Sequence, residues 1–141
     1  MRWLIAFLAL AGMVAAALAL REHYRTEASP CSINEKWDCG AVNKSRFAAI
    51  GGVPVAVIGI AGYLLLLVLA ITKRWRLLAA AAVPALAFSL YLAHIERDVL
   101  GIWCIYCVIS LGIITLITLL SLIALGMNWR KRQDTLSGST A

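Results

Sequence analysis

Long apolar runs alternate with shorter polar segments along the chain. Four of these runs contain no Asp, Glu, Lys or Arg, and they cover residues 3–20, 48–71, 77–93 and 102–127. As α-helices they rise roughly 25–39 Å, enough to cross a hydrocarbon core about 30 Å thick. The residue-by-residue alternation typical of membrane β-barrels is missing from the sequence. The pattern therefore predicts an all-α fold, an integral membrane four-helix bundle.

The polar segments complete this prediction as a single membrane domain over residues 1–141. A long loop over residues 21–47 separates the first two helices, and a polar tail follows over residues 128–141. Pro54 and Pro84 are expected to bend the second and third helices.

The composition agrees with a membrane protein. Of the 141 residues, 62% are hydrophobic and 14% are charged, which is more apolar side chain than a soluble domain of this size buries. The formal net charge is +6, and membrane proteins commonly carry such an excess as cytoplasmic Lys and Arg. A basic patch with interleaved aromatic residues, which would indicate nucleic-acid binding, is not visible.

The basic residues also predict the orientation. They are densest in residues 72–76 and 128–133, directly at helix ends, where the charge bias acts most strongly. We therefore expect both termini in the cytoplasm, with the loop over residues 21–47 and the turn over residues 94–101 outside. Ala17-Leu18-Ala19 also matches a signal-peptidase site. Cleavage there is the alternative for the first run, and it would leave the loop on the same side.

This orientation puts all four cysteines at the oxidising membrane face. Cys31 and Cys39 lie in the outward loop, and Cys104 and Cys107 lie at the outward end of the fourth helix. A Cys-x-x-Cys spacing is used by dithiol redox sites, because one helical turn brings its sulfurs close enough to bond. The loop pair can then accept electrons from an outside protein and pass them to Cys104 by thiol–disulfide exchange.

The position of the Cys-x-x-Cys pair adds to the redox interpretation. Cys104 lies near the start of the fourth helix, where the helix dipole favours a thiolate, and His94 and Arg97 are expected to add positive potential. Cys107 lies one turn deeper and is expected to face the apolar interior, within reach of a lipid-soluble oxidant. The aromatic residues expected around it are Trp103, Tyr106, Phe88 and Tyr91.

Three other interpretations are open. Two inert structural disulfides would give a membrane protein with a non-redox role, although a Cys104–Cys107 bond closes almost no loop. A zinc site of four thiolates is disfavoured by the oxidising compartment and by the loose spacing of Cys31 and Cys39. A transporter needs ionisable groups within the membrane, and the four runs lack them apart from His94 at an edge.

Several features occur together in a fixed order. They are Cys31 and Cys39 with seven residues between them, Ser45 after five more, the segment GGVPVAVIGIAGY from residue 51, and Cys104-Ile105-Tyr106-Cys107. This set resembles the vitamin K epoxide reductase (VKOR) family, in particular its bacterial homologues. The resemblance covers nearly the whole chain, and the joint spacing is far more specific than a lone Cys-x-x-Cys.

The resemblance implies a four-helix bundle around a quinone of the ubiquinone, menaquinone or vitamin K type. Cys104 and Cys107 would form the active-site pair, with Cys107 meeting the quinone and Cys104 exchanging with the loop. Cys31 and Cys39 would be the shuttle pair, and Ser45 would help to order the loop. A metal is not implied.

The activity implied is that of a quinone-linked thiol–disulfide oxidoreductase that supports disulfide bond formation in exported proteins. The bacterial members work in the inner (cell) membrane and reoxidise a thioredoxin-like (DsbA-type) protein. Many carry that domain fused to the bundle, whereas only a short polar tail follows Met127 here, so a separate partner protein is expected. The DsbB family catalyses the same reaction, but its cysteine pairs occur in the opposite order along the chain. The sequence therefore resembles the DsbB family less than the VKOR family.

Two positions depart from the vertebrate members of the family. Those members place an asparagine and a tyrosine near the quinone, where this chain has Val55 and Leu111. Neither side chain can make a polar contact, which favours plain quinone reduction over reduction of vitamin K epoxide. The predicted quinone contacts are therefore Cys107, Val55, Leu111 and Trp103.

Overall fold

A computed structural model describes residues 1–24, 37–38, 41 and 49–139 of the chain. The helices are α1 (Arg2–Tyr24), α2 (Val55–Ile71), α3 (Trp75–His94) and α4 (Ile105–Ser139). A hairpin of β1 (Ala49–Ile50) and β2 (Val53–Pro54) precedes α2, and a π-helical turn (Ile95–Leu100) extends α3. The predicted all-α fold with four helices is confirmed.

The four helices pack as a ring. Helix α1 contacts α2 and α4, and α3 contacts α4 and, less extensively, α2. Helices α2 and α4 are therefore diagonal to each other across the ring.

The packed core fills one end of this ring. It includes residues from all four helices: Ile5, Ala9, Tyr63, Leu66, Leu69, Leu78, Ala82, Ile114 and Ile117. The buried positions of α1 are mostly small, with Gly12 and five alanines among them. Small residues let helix backbones approach closely, which is how membrane helices gain packing energy without a hydrophobic driving force.

The outer surface of the ring is apolar. Large apolar side chains on all four helices are about half exposed or more, and they include Trp3, Phe7, Leu64, Leu65, Leu90 and Leu119. Within the described ranges, three segments are long and apolar enough to cross a membrane: Arg2–Tyr24, Trp75–Leu100 and Ile105–Gly138. Helix α2 is apolar but has only 17 residues, a rise of roughly 25 Å.

Helix α2 is shorter than predicted because its start is a hairpin. The expected helix began at residue 48, but Ala49 pairs with Pro54 and Ile50 with Val53. Gly51 and Gly52 form the turn with φ values of 58° and 84°. A two-residue turn with both φ values positive matches the twist of an antiparallel hairpin and favours glycine. Pro54 therefore precedes α2 and does not bend it, whereas Pro84 does lie inside α3.

Other helix ends also differ from the apolar runs. Helix α3 begins at Trp75, two residues before its predicted start, and α4 begins at Ile105, three residues after its predicted start. Helix α1 continues to Tyr24, four residues into the predicted loop, and α4 continues to Ser139 through the predicted tail. Residues 128–137 contain neither Gly nor Pro and include several strong helix formers. The end of an apolar run marks the end of the lipid contact, and a helix continues in water where the sequence permits it.

Candidate active site

The Cys-x-x-Cys pair lies where α4 begins. Cys104 directly precedes the helix and is completely buried, and its carbonyl accepts the Val108 N–H at 3.0 Å. Cys107 is the third residue of the helix, and its side chain interacts with that of Cys104. The two sulfur atoms are therefore neighbours at one end of the bundle, as a dithiol that forms and opens a disulfide requires.

A buried carboxylate lies beside both cysteines. Glu96, in the π-helical turn, is only 4% exposed. Its Oε2 atom accepts the backbone N–H of Cys104 at 3.2 Å, and its carboxyl group also interacts with the Cys107 side chain. Its backbone carbonyl accepts the N–H groups of Gly101 and Ile102. Glu96 thus fixes the chain that leads into the dithiol through both its backbone and its side chain.

Glu96 was not predicted as a site residue from the sequence. His94 and Arg97 were expected to supply positive potential at Cys104. His94 Nδ1 lies 2.7 Å from Asp98 Oδ2, with both side chains exposed, and Arg97 is exposed too; their effect on Cys104 stays a prediction. The π-helical turn directs Glu96 inward. Because amino-acid composition does not predict such turns, the sequence did not indicate that Glu96 is buried.

A cavity of about 370 Å³ adjoins the dithiol, and all four helices contribute to its wall. The four residues that were predicted as quinone contacts all line it: Cys107, Val55, Leu111 and Trp103. Phe88 and Tyr106 line it too, as expected. Tyr91 does not belong to the wall, because it points outward with 57% of its surface exposed.

One polar link crosses this mostly apolar wall. The Tyr63 hydroxyl donates to the Ser110 carbonyl at 2.9 Å and lies 2.7 Å from the Ser110 hydroxyl. Both residues line the cavity, and Ser110 is one turn beyond Cys107 on α4. Neither residue was predicted as part of the site from the sequence. The helical spacing of Cys107 and Ser110 is a signal that could have pointed to Ser110.

Part of the loop that follows α1 docks beside the dithiol. Trp37 and Trp103 form an isolated parallel bridge, with ring centroids 6.4 Å apart. The backbone N–H of Asp38 donates to the Trp103 carbonyl at 3.0 Å. These contacts attach the loop to the residue that immediately precedes Cys104. The predicted site residues Cys31, Cys39 and Ser45 lie outside the described residues.

Helices of membrane-spanning length, an apolar cavity between them and a dithiol at its end define a membrane thiol oxidoreductase. The sequence matches the profile of the vitamin K epoxide reductase family over residues 3–122. The chain belongs to this family, whose members are quinone-linked thiol–disulfide oxidoreductases of the membrane. Comparison with individually curated proteins gives no significant match. In the part of the chain that the structure describes, no group of three or more His, Cys, Asp or Glu side chains is placed to hold a metal ion.

Proposed function

We propose that this enzyme oxidises a separate thioredoxin-like (DsbA-type) protein and passes the electrons to a membrane quinone. Electrons would enter at Cys31 and Cys39, move to Cys104 and Cys107, and leave at Cys107. The observation that carries the proposal is the placement of the dithiol. Cys107 lines the apolar cavity, whereas Cys104 follows the residue on which the outward loop docks.

The cavity suits the head group of a quinone. Its volume lies within the range of small-molecule sites, and its wall combines apolar side chains with a few polar groups. Val55, Leu111 and Trp103 would hold the ring against Cys107. A quinone bound there supplies the capacity to accept two electrons and two protons. The proposal covers ubiquinone, menaquinone and vitamin K-type quinones, because the Val55 and Leu111 side chains would contact a ring by shape and form no hydrogen bond with it.

The loop contacts support exchange between the loop pair and Cys104. Asp38 is bonded to Trp103, and Cys39 is the next residue in the sequence after Asp38, just as Cys104 is the next after Trp103. We therefore propose Cys39 as the loop cysteine that exchanges with Cys104, which leaves Cys31 to meet the partner protein. Ser45 would order the loop.

The location we propose is a bacterial inner membrane, with both termini in the cytoplasm and the cysteines on the outer side. The basic residues near the start of α1, between α2 and α3, and in the last part of α4 support this orientation by the positive-inside rule. The outer side is also the oxidising compartment in which exported proteins form disulfides.

The experiment that tests the proposal measures quinone absorbance with two electron donors. Wild-type protein, Cys107→Ala and Cys31→Ala are each supplied with dithiothreitol or with a reduced DsbA-type protein. We expect Cys107→Ala to lose turnover with both donors, because no sulfur then faces the cavity. Cys31→Ala should lose turnover only with the protein donor. A folded wild-type protein that reduces neither ubiquinone nor menaquinone would contradict the proposal and favour inert disulfides.

A further inference from the structure

The proposed electron path leaves the protons unassigned, and Glu96 is the group placed to move them. Reduction of a quinone by a dithiol also transfers two protons from sulfur to oxygen. In the described part of the active site, the Glu96 carboxyl group interacts with the Cys107 side chain and also lines the cavity. Glu96 therefore lies beside the Cys107 thiol, which loses a proton, and faces the cavity in which the quinone would accept that proton.

We propose that Glu96 is a catalytic residue that carries protons from the dithiol to the quinone. The inference rests on the proposed function, since it assigns a role within the same reaction. A buried carboxylate in contact with a reacting thiol can take its proton as a general base and return it as a general acid.

The proposed reaction balances as follows. The thiols of Cys104 and Cys107 lose their two S–H bonds and form one S–S bond, and two electrons pass to the quinone. The Glu96 carboxylate takes the Cys107 proton and delivers it to one quinone oxygen. After it is again deprotonated, the carboxylate takes the second proton, released from Cys104, and delivers it to the other oxygen. The products are the disulfide and the quinol, and Glu96 ends as the carboxylate.

The alternative role for Glu96 is structural. Its Oε2 atom accepts the Cys104 N–H, so the residue also positions the dithiol. The structural role and the proton-transfer role require different properties of the side chain. Positioning needs an acceptor atom at the right distance, which glutamine keeps. Proton transfer needs an ionisable carboxyl group, which aspartate keeps and glutamine lacks.

The experiment therefore compares Glu96→Gln with Glu96→Asp. Dithiothreitol-driven reduction of a short-chain ubiquinone is measured as kcat and KM, with thermal unfolding in detergent as the control for folding. We expect Glu96→Gln to lower kcat about 100-fold with little change in the quinone KM, a loss within the range of general acid–base catalysis. Glu96→Asp should recover at least a tenth of the wild-type kcat.

The matched control is Asp98→Asn. Asp98 is on the same π-helical turn but is exposed and paired with His94, so removing this carboxylate should leave kcat unchanged. An active Glu96→Gln variant would overturn the inference and leave the proposed function intact, as would equal losses in the Gln and Asp variants. A folded wild-type protein without quinone reduction would overturn the proposed function, and this inference with it.

Discussion

The Tyr63 hydroxyl on α2 is hydrogen-bonded to Ser110 on α4, two residues that are 47 positions apart in the sequence. Because α2 and α4 are diagonal across the ring, this link joins helices that share few other contacts. It also lies in the cavity wall one helical turn beyond Cys107.

Tyr63→Phe should lower thermal stability in detergent. The phenylalanine keeps the ring and loses both contacts with Ser110, a loss of about 1 kcal/mol for hydrogen bonds between membrane helices. Ser110→Ala should cost less, because the Ser110 carbonyl still accepts from Tyr63. The unfolding midpoint of each variant measures this order, and a larger shift for Ser110→Ala than for Tyr63→Phe would contradict it.

Gly12→Ala should destabilise the bundle more strongly. A Cβ atom at Gly12 would overlap the Tyr63 ring, so α1 and α2 must separate or the ring must move. Overpacking of this kind typically costs about 1–3 kcal/mol. The control is Gly112→Ala on the exposed face of α4, where a Cβ meets no atom within 4 Å. The midpoint of thermal unfolding should fall for the first variant and stay or rise for the second.

Gly62→Leu should weaken quinone binding. Gly62 lines the cavity, and a Cβ there has open space around it, so a leucine side chain would occupy volume that the substrate needs. We expect the quinone KM to rise roughly tenfold, which corresponds to about 1.4 kcal/mol of lost binding. Gly112→Leu changes the same residue type outside the cavity and should leave the KM unchanged. Equal KM values in the two variants would mean that the quinone binds elsewhere.

Trp37→Ala should slow electron transfer from the protein donor and leave electron transfer to the quinone unchanged. The Trp37 ring packs near Trp103, and the loss of an aromatic pair costs about 0.5–1.5 kcal/mol. We expect turnover with a reduced DsbA-type protein to fall about fivefold, while turnover with dithiothreitol stays near wild type. Trp129→Ala, at the opposite end of α4, is the matched control and should change neither rate. A loss with both donors would show that Trp37 supports the whole active site.

The membrane orientation can be measured with single cysteines. In a variant without the four native cysteines, Asp98→Cys should react with a membrane-impermeant maleimide added to intact cells. Thr135→Cys, also exposed, should react only after the membrane is permeabilised. The reverse labelling pattern would contradict a cytoplasmic end of α4.

The apolar runs predicted the helices because lipid selects for long stretches without charge. They did not predict the hairpin before α2, where two glycines and Pro54 interrupt the helix inside an apolar run. Nor did they predict the length of α4, since the helix continues past the lipid on helix propensity alone. Contact with lipid determines which residues are apolar, whereas backbone preferences determine where a helix begins and ends. The two therefore differ at the start of α2 and at the end of α4.

The candidate site was predictable to the extent that it rests on spacing along one helix or on family resemblance. Cys104 and Cys107 are one turn apart by sequence, and Trp103 directly precedes them. The resemblance named Val55 and Leu111, and the structure brings both of these residues and Trp103 to the same cavity. Glu96 and Tyr63 were missed for a physical reason. Glu96 points inward because of a π-helical turn. Tyr63 links α2 to α4 because these two helices face each other across the ring, and the sequence does not reveal that arrangement.

Helix α4 is a continuous rod of 35 residues, which at 1.5 Å per residue extends about 52 Å, well beyond a hydrocarbon core of about 30 Å. Its first turn carries Cys107, and its last turns carry the basic residues from Arg130 to Arg132. A carrier protein joined in helical register to this end would have a fixed orientation relative to the dithiol. For a chain of 15.3 kDa, such a fusion supplies the mass and rigid shape that particle alignment in electron cryo-microscopy requires.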